Sequence, residues 1–318
     1  LDLAIQHRAE ANKLINDLRE RVAYWRQAGR PYTTATTRRL LEYWTRPDRE
    51  RRLFFCQIEA VETLIYLTEI APKQDANYGT STLERFKQAN AGATPDSHAP
   101  LPRYAAKMAT GSGKTVVMGM LMAWQALNKL ANRQDQRFSD AFLIVSPGIT
   151  IRDRLRVLLP NDPNNYYRQL DLLPPSLLEE LSKAKVAIIN YHAFIRRERN
   201  SAASLTKKLL RTPGEASPFQ ESAGQMVARV CAELGNKKQI VVLNDEAHHC
   251  YHRRPLDGDE KLSGDDLQEA KQREEEAKIW VSGLGAVQKK LGIRAVYDLS
   301  ATPFFLRGSG YEEGTLFP

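Results

Sequence analysis

The chain has 318 residues, enough for one large domain or two small ones, and 42% of them are hydrophobic, which excludes wholesale disorder. Lys and Arg outnumber Asp and Glu by 46 to 38 and the isoelectric point is near 9.3, a balance that suits a polyanionic partner, nucleic acid before membrane. No apolar run reaches the roughly 20 residues of a membrane span, and the three cysteines, Cys56, Cys231 and Cys250, imply no disulfide framework, so a reducing cytoplasm fits.

The chain opens on LDLAIQHRAEANK, which has neither a signal-peptide layout nor an initiator Met, so the expectation is a chain that starts inside a longer protein or after processing. Ile5, Ala9, Leu14, Ile15, Leu18, Val22 and Trp25 recur at helical spacing and predict a helix over 5–28, stopped by Gly29 and Pro31. TTATTRRLLEYWTRPDRERR reads as a capped helix followed by a basic turn, and LFFCQIEAVETLIYLTEI as a strongly apolar helix in which Phe54 and Phe55 are core residues. Residues 74–102 turn polar, with Gly and Pro, and read as an exposed loop. Short apolar runs then alternate with helical segments, at 104–109, 141–146, 185–190, 239–245 and 293–300. That alternation predicts an α/β domain with a mainly parallel sheet flanked by helices, behind an N-terminal helical segment. Two stretches interrupt it: polar 196–221, with Pro213 and Pro218, and charge-dense 253–278. Both read as solvated insertions with a partly helical surface segment.

The chemistry starts at MATGSGKT, residues 108–115, between the first predicted strand and an apolar helix over 116–130. Gly111 and Gly113 permit a tight turn whose backbone N–H groups converge on one anion, and the helix start adds its positive end. Lys114 would reach the β- and γ-phosphates and Thr115 would ligate Mg²⁺. The usual loop has a glycine where this chain has Met108. A second cluster, QIVVLNDEAHHCY, places Asp245 and Glu246 at the carboxyl end of a strand, where open α/β sheets collect ligands. Asp245 suits Mg²⁺, and Glu246 suits a base that orients or deprotonates water. His248, His249, Cys250 and His252 are too compressed for the usual zinc spacing.

Taken together these motifs resemble superfamily 2 helicases and translocases, and within them the type III restriction enzyme Res subunit. Asp245-Glu246-Ala247-His248 matches the DEAH box, and the Met108 form of the loop is similar to that of the restriction branch. DLSATPFF at 298–305, LIVSPGITIRDRL at 143–155 and IINYHAF at 188–194 resemble further motifs, in the family's order. The resemblance implies a RecA-like P-loop NTPase that binds ATP and Mg²⁺ through Thr110, Gly111, Ser112, Gly113, Lys114 and Thr115. It also implies catalysis by Lys114, Asp245 and Glu246, an adenine-reading Gln57, and coupling through His248, Ser300 and Thr302. Nucleic-acid contacts fall on Thr150 and Arg152, with His192 more readily a satisfied loop residue. The implied layout is a helical lead over 1–50, a first motor domain over 51–306, and a linker start over 307–318 toward an absent second RecA-like domain. The implied partners are duplex DNA, that second domain and a modification subunit, with no membrane. An RNA helicase and an ATP-gated DNA-binding switch are the alternatives.

Overall fold

The structure is a computed structural model, which describes residues 13–73, 103–197, 220–247 and 265–301. Helix α1 (Lys13–Gln27) covers the described part of the first predicted helix and ends at Gly29, which takes the left-handed conformation, φ 82°. Helix α2 (Ala35–Thr45) starts where Thr34 caps it by accepting the Thr37 N–H. Helix α3 (Phe55–Ile65) opens into one π turn, Tyr66–Ile70, that the sequence pattern did not predict.

The five predicted strands form: β1 (Arg103–Lys107), β2 (Ala141–Ser146), β3 (Lys185–Asn190), β4 (Ile240–Asp245) and β5 (Ile293–Ser300). They make one all-parallel sheet in the order β1-β5-β4-β2-β3. Between them run α4 (Lys114–Ala131), α5 (Ile149–Arg154), α6 (Tyr166–Gln169), α7 (Pro175–Leu181), α8 (Ala223–Val230) and α9 (Asp265–Leu291). Strand side chains alternate between two cores. Phe142, Ile144, Val241, Leu243 and Tyr297 pack with α4, α3 and α2, whereas Leu143, Val145, Val242 and Val296 pack with α8 and α9. Burial on both faces explains why these strands read as continuous apolar runs. The fold is thus the expected α/β, RecA-like sheet, with a helical segment ahead of it.

The charge-dense stretch 253–278 is described from Asp265 onward. That part starts the 27-residue α9: Gln268, Lys271, Gln272, Glu275 and Lys278 are exposed, Ala277 is buried, and Trp280 and Leu284 after it enter the second core. The described end is thus the solvated, helical surface segment expected, and the helix turns apolar where the acidic run ends. Residues 253–264, the loop 74–102, Pro213 and Pro218 lie outside the described residues.

The helical lead shares its core with the sheet. Leu40, Leu41 and Trp44 of α2 are buried beside α4. Buried Glu69, on the π turn, joins the two: it accepts from the Thr34 N–H at 2.8 Å, the Thr37 hydroxyl at 2.6 Å and the Trp124 indole at 2.8 Å. Three donors offset the cost of removing that carboxylate from water. Buried Glu62 likewise pairs with Arg26 at 2.5 Å and Arg30 at 2.7 Å, fixing α1 against α3. Among the described residues, no helix is long and apolar enough to cross a membrane.

Candidate nucleotide-binding site

Strand β1 delivers the chain to the carboxyl edge of the sheet and then releases it. Met108 is buried in the core, and its N–H donates to the Ser300 carbonyl at 2.9 Å. The residue that breaks the simple glycine pattern is therefore a packing residue that ties the loop's first turn to β5. Thr110 and Gly111 are exposed, and Gly111 and Gly113 have φ 78° and 85°. The Ser112 hydroxyl donates to the Ala109 carbonyl at 2.6 Å and closes the turn. Helix α4 starts at Lys114, so the first amides of an 18-residue helix open toward the loop. That end carries partial positive charge and unpaired donors, the elements of an anion site. Thr115 is half-buried one residue further on.

Gln57 lies against this loop. Its Nε2 donates to the Ser112 carbonyl at 2.9 Å, and its Oε1 accepts from the Phe54 N–H at 2.9 Å. A Cβ added at Gly113 would come within 2.2 Å of the Gln57 Nε2. We expect Gly113→Ala to cost about 1–2 kcal/mol in left-handed strain and to dislodge Gln57 from Ser112. Gly111→Ala meets nothing within 4 Å, so it carries the strain alone. Thermal melts of the two variants, with Gly113→Ala the less stable, check this.

Phe54 and Phe55 are not core residues: they are 59% and 72% exposed. Both stand at the start of α3, off the stripe of Gln57, Val61, Leu64 and Ile65 that the helix buries. The Arg26 guanidinium sits 5.8 Å from the Phe55 ring centroid. The missed signal was position: an apolar residue at a helix start need not share the buried face.

The acid pair faces the loop from β4. Asp245 is the strand's last residue and only 8% exposed. Burial, reinforced by the neighbouring Glu246 charge and opposed by Lys114, pushes its carboxyl up to about 6. Glu246 takes a left-handed backbone, φ 46°, which side chains of its kind rarely adopt. Its carboxylate lies 3.0 Å from the Lys114 ammonium. The loop's cation and the candidate base therefore meet directly, with the buried acid beside them.

The shifted Asp245 has a consequence for stability. The folded state holds its proton up to about pH 6, whereas the unfolded chain releases it near 3.8. As pH rises between these values the unfolded state binds fewer protons, so this group lowers stability. The full effect, reached above pH 6, is about 3 kcal/mol. Asp245→Asn is expected to raise the Tm at pH 7.5 by several degrees, and the gain should vanish below pH 4. Melts of both proteins across that range decide it.

Oxygen donors from Asp245 and Thr115 fit a hard cation such as Mg²⁺, which keeps waters and phosphate oxygens as its other ligands. Among the described residues, no group of three or more His, Cys, Asp or Glu is arranged to hold a metal by itself. His248, His249, Cys250, His252 and Thr302 lie outside the described residues. Ser300 is buried, and its carbonyl holds Met108. Thr150 and Arg152 are exposed on the short α5, and Arg152 pairs with Asp153 at 2.8 Å. His192 is satisfied locally: its ring nitrogen meets the Asn190 side-chain oxygen at 2.7 Å, and its ring stacks on Tyr191.

Comparison with known proteins adds one finding. A family model described as type III restriction enzyme, res subunit, matches residues 51–304. No curated protein and no solved structure matches the chain. The match takes in the loop, the acid pair and all five strands, and the chain therefore belongs to the type III restriction enzyme res subunit family, with a helicase-like ATPase motor domain.

Proposed function

We propose that this domain binds ATP with Mg²⁺ and hydrolyses it to move a type III restriction-like enzyme along duplex DNA. The observation that carries the reading is the meeting of Lys114, Glu246 and Asp245 at the start of α4. Mg²⁺·ATP supplies the phosphoanhydride to be cleaved and a cation that neutralises charge on it. The chain's own groups do the rest. The amides of residues 111–115 and the Lys114 ammonium hold phosphate oxygens. Thr115 and Asp245 provide the oxygen donors for the metal. Glu246, released from Lys114 once phosphate takes its place, orients a water and accepts its proton. Gln57 reads the adenine edge by exchanging its present partners for base nitrogens, and exposed Phe55 offers a face for stacking.

In this reading a second RecA-like domain of the same parent chain closes over the nucleotide. Hydrolysis opens and closes that cleft, Ser300 and the residues after it pass the change on, and Thr150 and Arg152 meet the DNA backbone. A modification subunit is the expected further partner. The net charge of +8 agrees with a polyanionic track.

Steady-state ATPase activity of the intact parent protein tests the proposal, measured with no nucleic acid, duplex DNA, single-stranded DNA and RNA. Stimulation by duplex DNA supports it. Stimulation by RNA alone moves the assignment to an RNA helicase. Tight DNA binding gated by ATP without displacement of an annealed strand or triplex points to a switch rather than a motor.

A further inference from the structure

Asn244 precedes Asp245, and alternation sends its side chain to the opposite face of the sheet, where α9 lies. There it is fully buried and both ends of its amide are used. Its Nδ2 donates to Asp298 Oδ1 at 2.6 Å, directly across the β4–β5 register. Its Oδ1 accepts from the Trp280 indole N–H at 3.2 Å. Asp298 is also buried, and it is paired with Arg103 at the start of β1, the strand that leads into the phosphate loop. On its other side the Trp280 ring stacks on Tyr191 at 5.4 Å with 5° between the planes. Phe194, from the same turn, sits on Gly283, where a Cβ would come within 2.2 Å of its ring.

Four elements thus meet behind the site through polar groups in an otherwise apolar core. Such groups cost free energy when buried, and apolar residues of similar volume often serve stability as well or better. What a directional network adds is position. Asn244 is one peptide from Asp245, Asp298 is two residues from Ser300, and Arg103 is on the loop's own strand. Acting through the backbone, these residues hold the strand end that presents Asp245; removing a partner bonded directly to a ligand weakens metal binding about 10–100-fold, and a backbone-mediated loss is expected at the low end of that range.

We propose that Trp280, Asn244, Asp298 and Arg103 form a positioning relay that sets Asp245 relative to the phosphate loop, so that metal-assisted nucleotide binding depends on an indole N–H from the far side of the sheet. The proposal rests on the nucleotide reading above. Trp280→Phe keeps an aromatic ring against Tyr191 and deletes the N–H together with the indole's second ring, so its packing loss is read from the Tm. Asn244→Leu removes both bonds at similar volume, and Asp298→Asn preserves shape should either variant fold poorly.

The test uses the full chain and a non-hydrolysable ATP analogue, with affinity measured in excess Mg²⁺ and in excess chelator, alongside the Tm. Expected is a loss of about tenfold in the Mg²⁺-dependent gain in affinity, with metal-free affinity unchanged within about twofold. Asn244→Leu combined with Trp280→Phe should lose little more than Asn244→Leu alone. An unchanged Mg²⁺ gain in all variants overturns the relay. So does a parallel fall of both affinities with the Tm, because that marks plain destabilisation. An unmodified chain that binds no nucleotide at all overturns the nucleotide reading and the relay with it, whereas indifferent variants of a binding chain overturn the relay alone.

Discussion

Glu246→Gln is expected to bind nucleotide at least as tightly as the unmodified protein and to turn it over roughly 10²–10⁴-fold more slowly. The two halves of the prediction come from different features of one contact. With no nucleotide, the Glu246 carboxylate lies 3.0 Å from Lys114 and partly neutralises the cation that phosphate needs. An amide keeps the size of the side chain and a weaker hydrogen bond to Lys114, and removes a negative charge that repels the triphosphate. Binding therefore holds or improves. The same amide accepts no proton from water, so the chemical step loses its base. Removing the Glu246 charge also takes away the second-largest contribution to the raised Asp245 pKa, after burial. The variant should consequently be more stable at neutral pH, with a smaller loss of stability between pH 4 and 6. Equilibrium binding of a fluorescent nucleotide, single-turnover hydrolysis and pH-dependent melts separate these effects. Unchanged turnover would remove Glu246 from the reaction, and weaker binding would show that its pair with Lys114 builds the loop rather than obstructing it.

The parts of this arrangement that were legible in the sequence are those governed by local rules. Strand positions followed from apolar runs, and Asp245 at a strand end followed from the run before it. The loop followed from Gly111 and Gly113, whose left-handed backbone only glycine adopts freely. What was not legible depends on contacts far apart in sequence. Phe55 and Trp280 are both large and aromatic in helices, yet one is 72% exposed and the other buried. The difference is the neighbouring chain: Trp280 meets Tyr191 and Asn244, whereas Phe55 stands out from the buried face of its helix with the Arg26 guanidinium 5.8 Å over its ring. Glu69 in LIYLTEI carries no local signal of burial, yet the π turn takes it inward to donors from α2 and α4. The left-handed backbone at Glu246 has no local signal, since glutamate rarely adopts it. It is tertiary structure that holds the side chain toward Lys114.

Lys114→Ala is expected to weaken nucleotide binding by about 10²-fold, the scale of losing a charge-assisted bond of roughly 1.5–3 kcal/mol to phosphate. The residue stands at the first position of α4, where the helix end supplies partial charge and the loop supplies amides. Alanine has high helix propensity, so the helix should persist and the remaining donors keep some affinity. A second effect acts through Glu246. Without the ammonium at 3.0 Å, that carboxylate faces the phosphate position and Asp245 with no opposing charge from Lys114. Loss of Lys114 removes a charge that lowers the Asp245 pKa, so the acid should hold its proton to still higher pH and offer a poorer metal ligand at neutrality. The double variant Lys114→Ala with Glu246→Gln separates the two contributions. If repulsion from Glu246 accounts for part of the loss, Glu246→Gln should improve binding by a larger factor in the Lys114→Ala background than in the unmodified protein. If the two changes add independently, the lysine acts only through the phosphate. Undiminished binding by Lys114→Ala would mean that the helix end and backbone amides are sufficient for nucleotide, and the Lys114–Glu246 pair would then be a structural contact between the loop and β4.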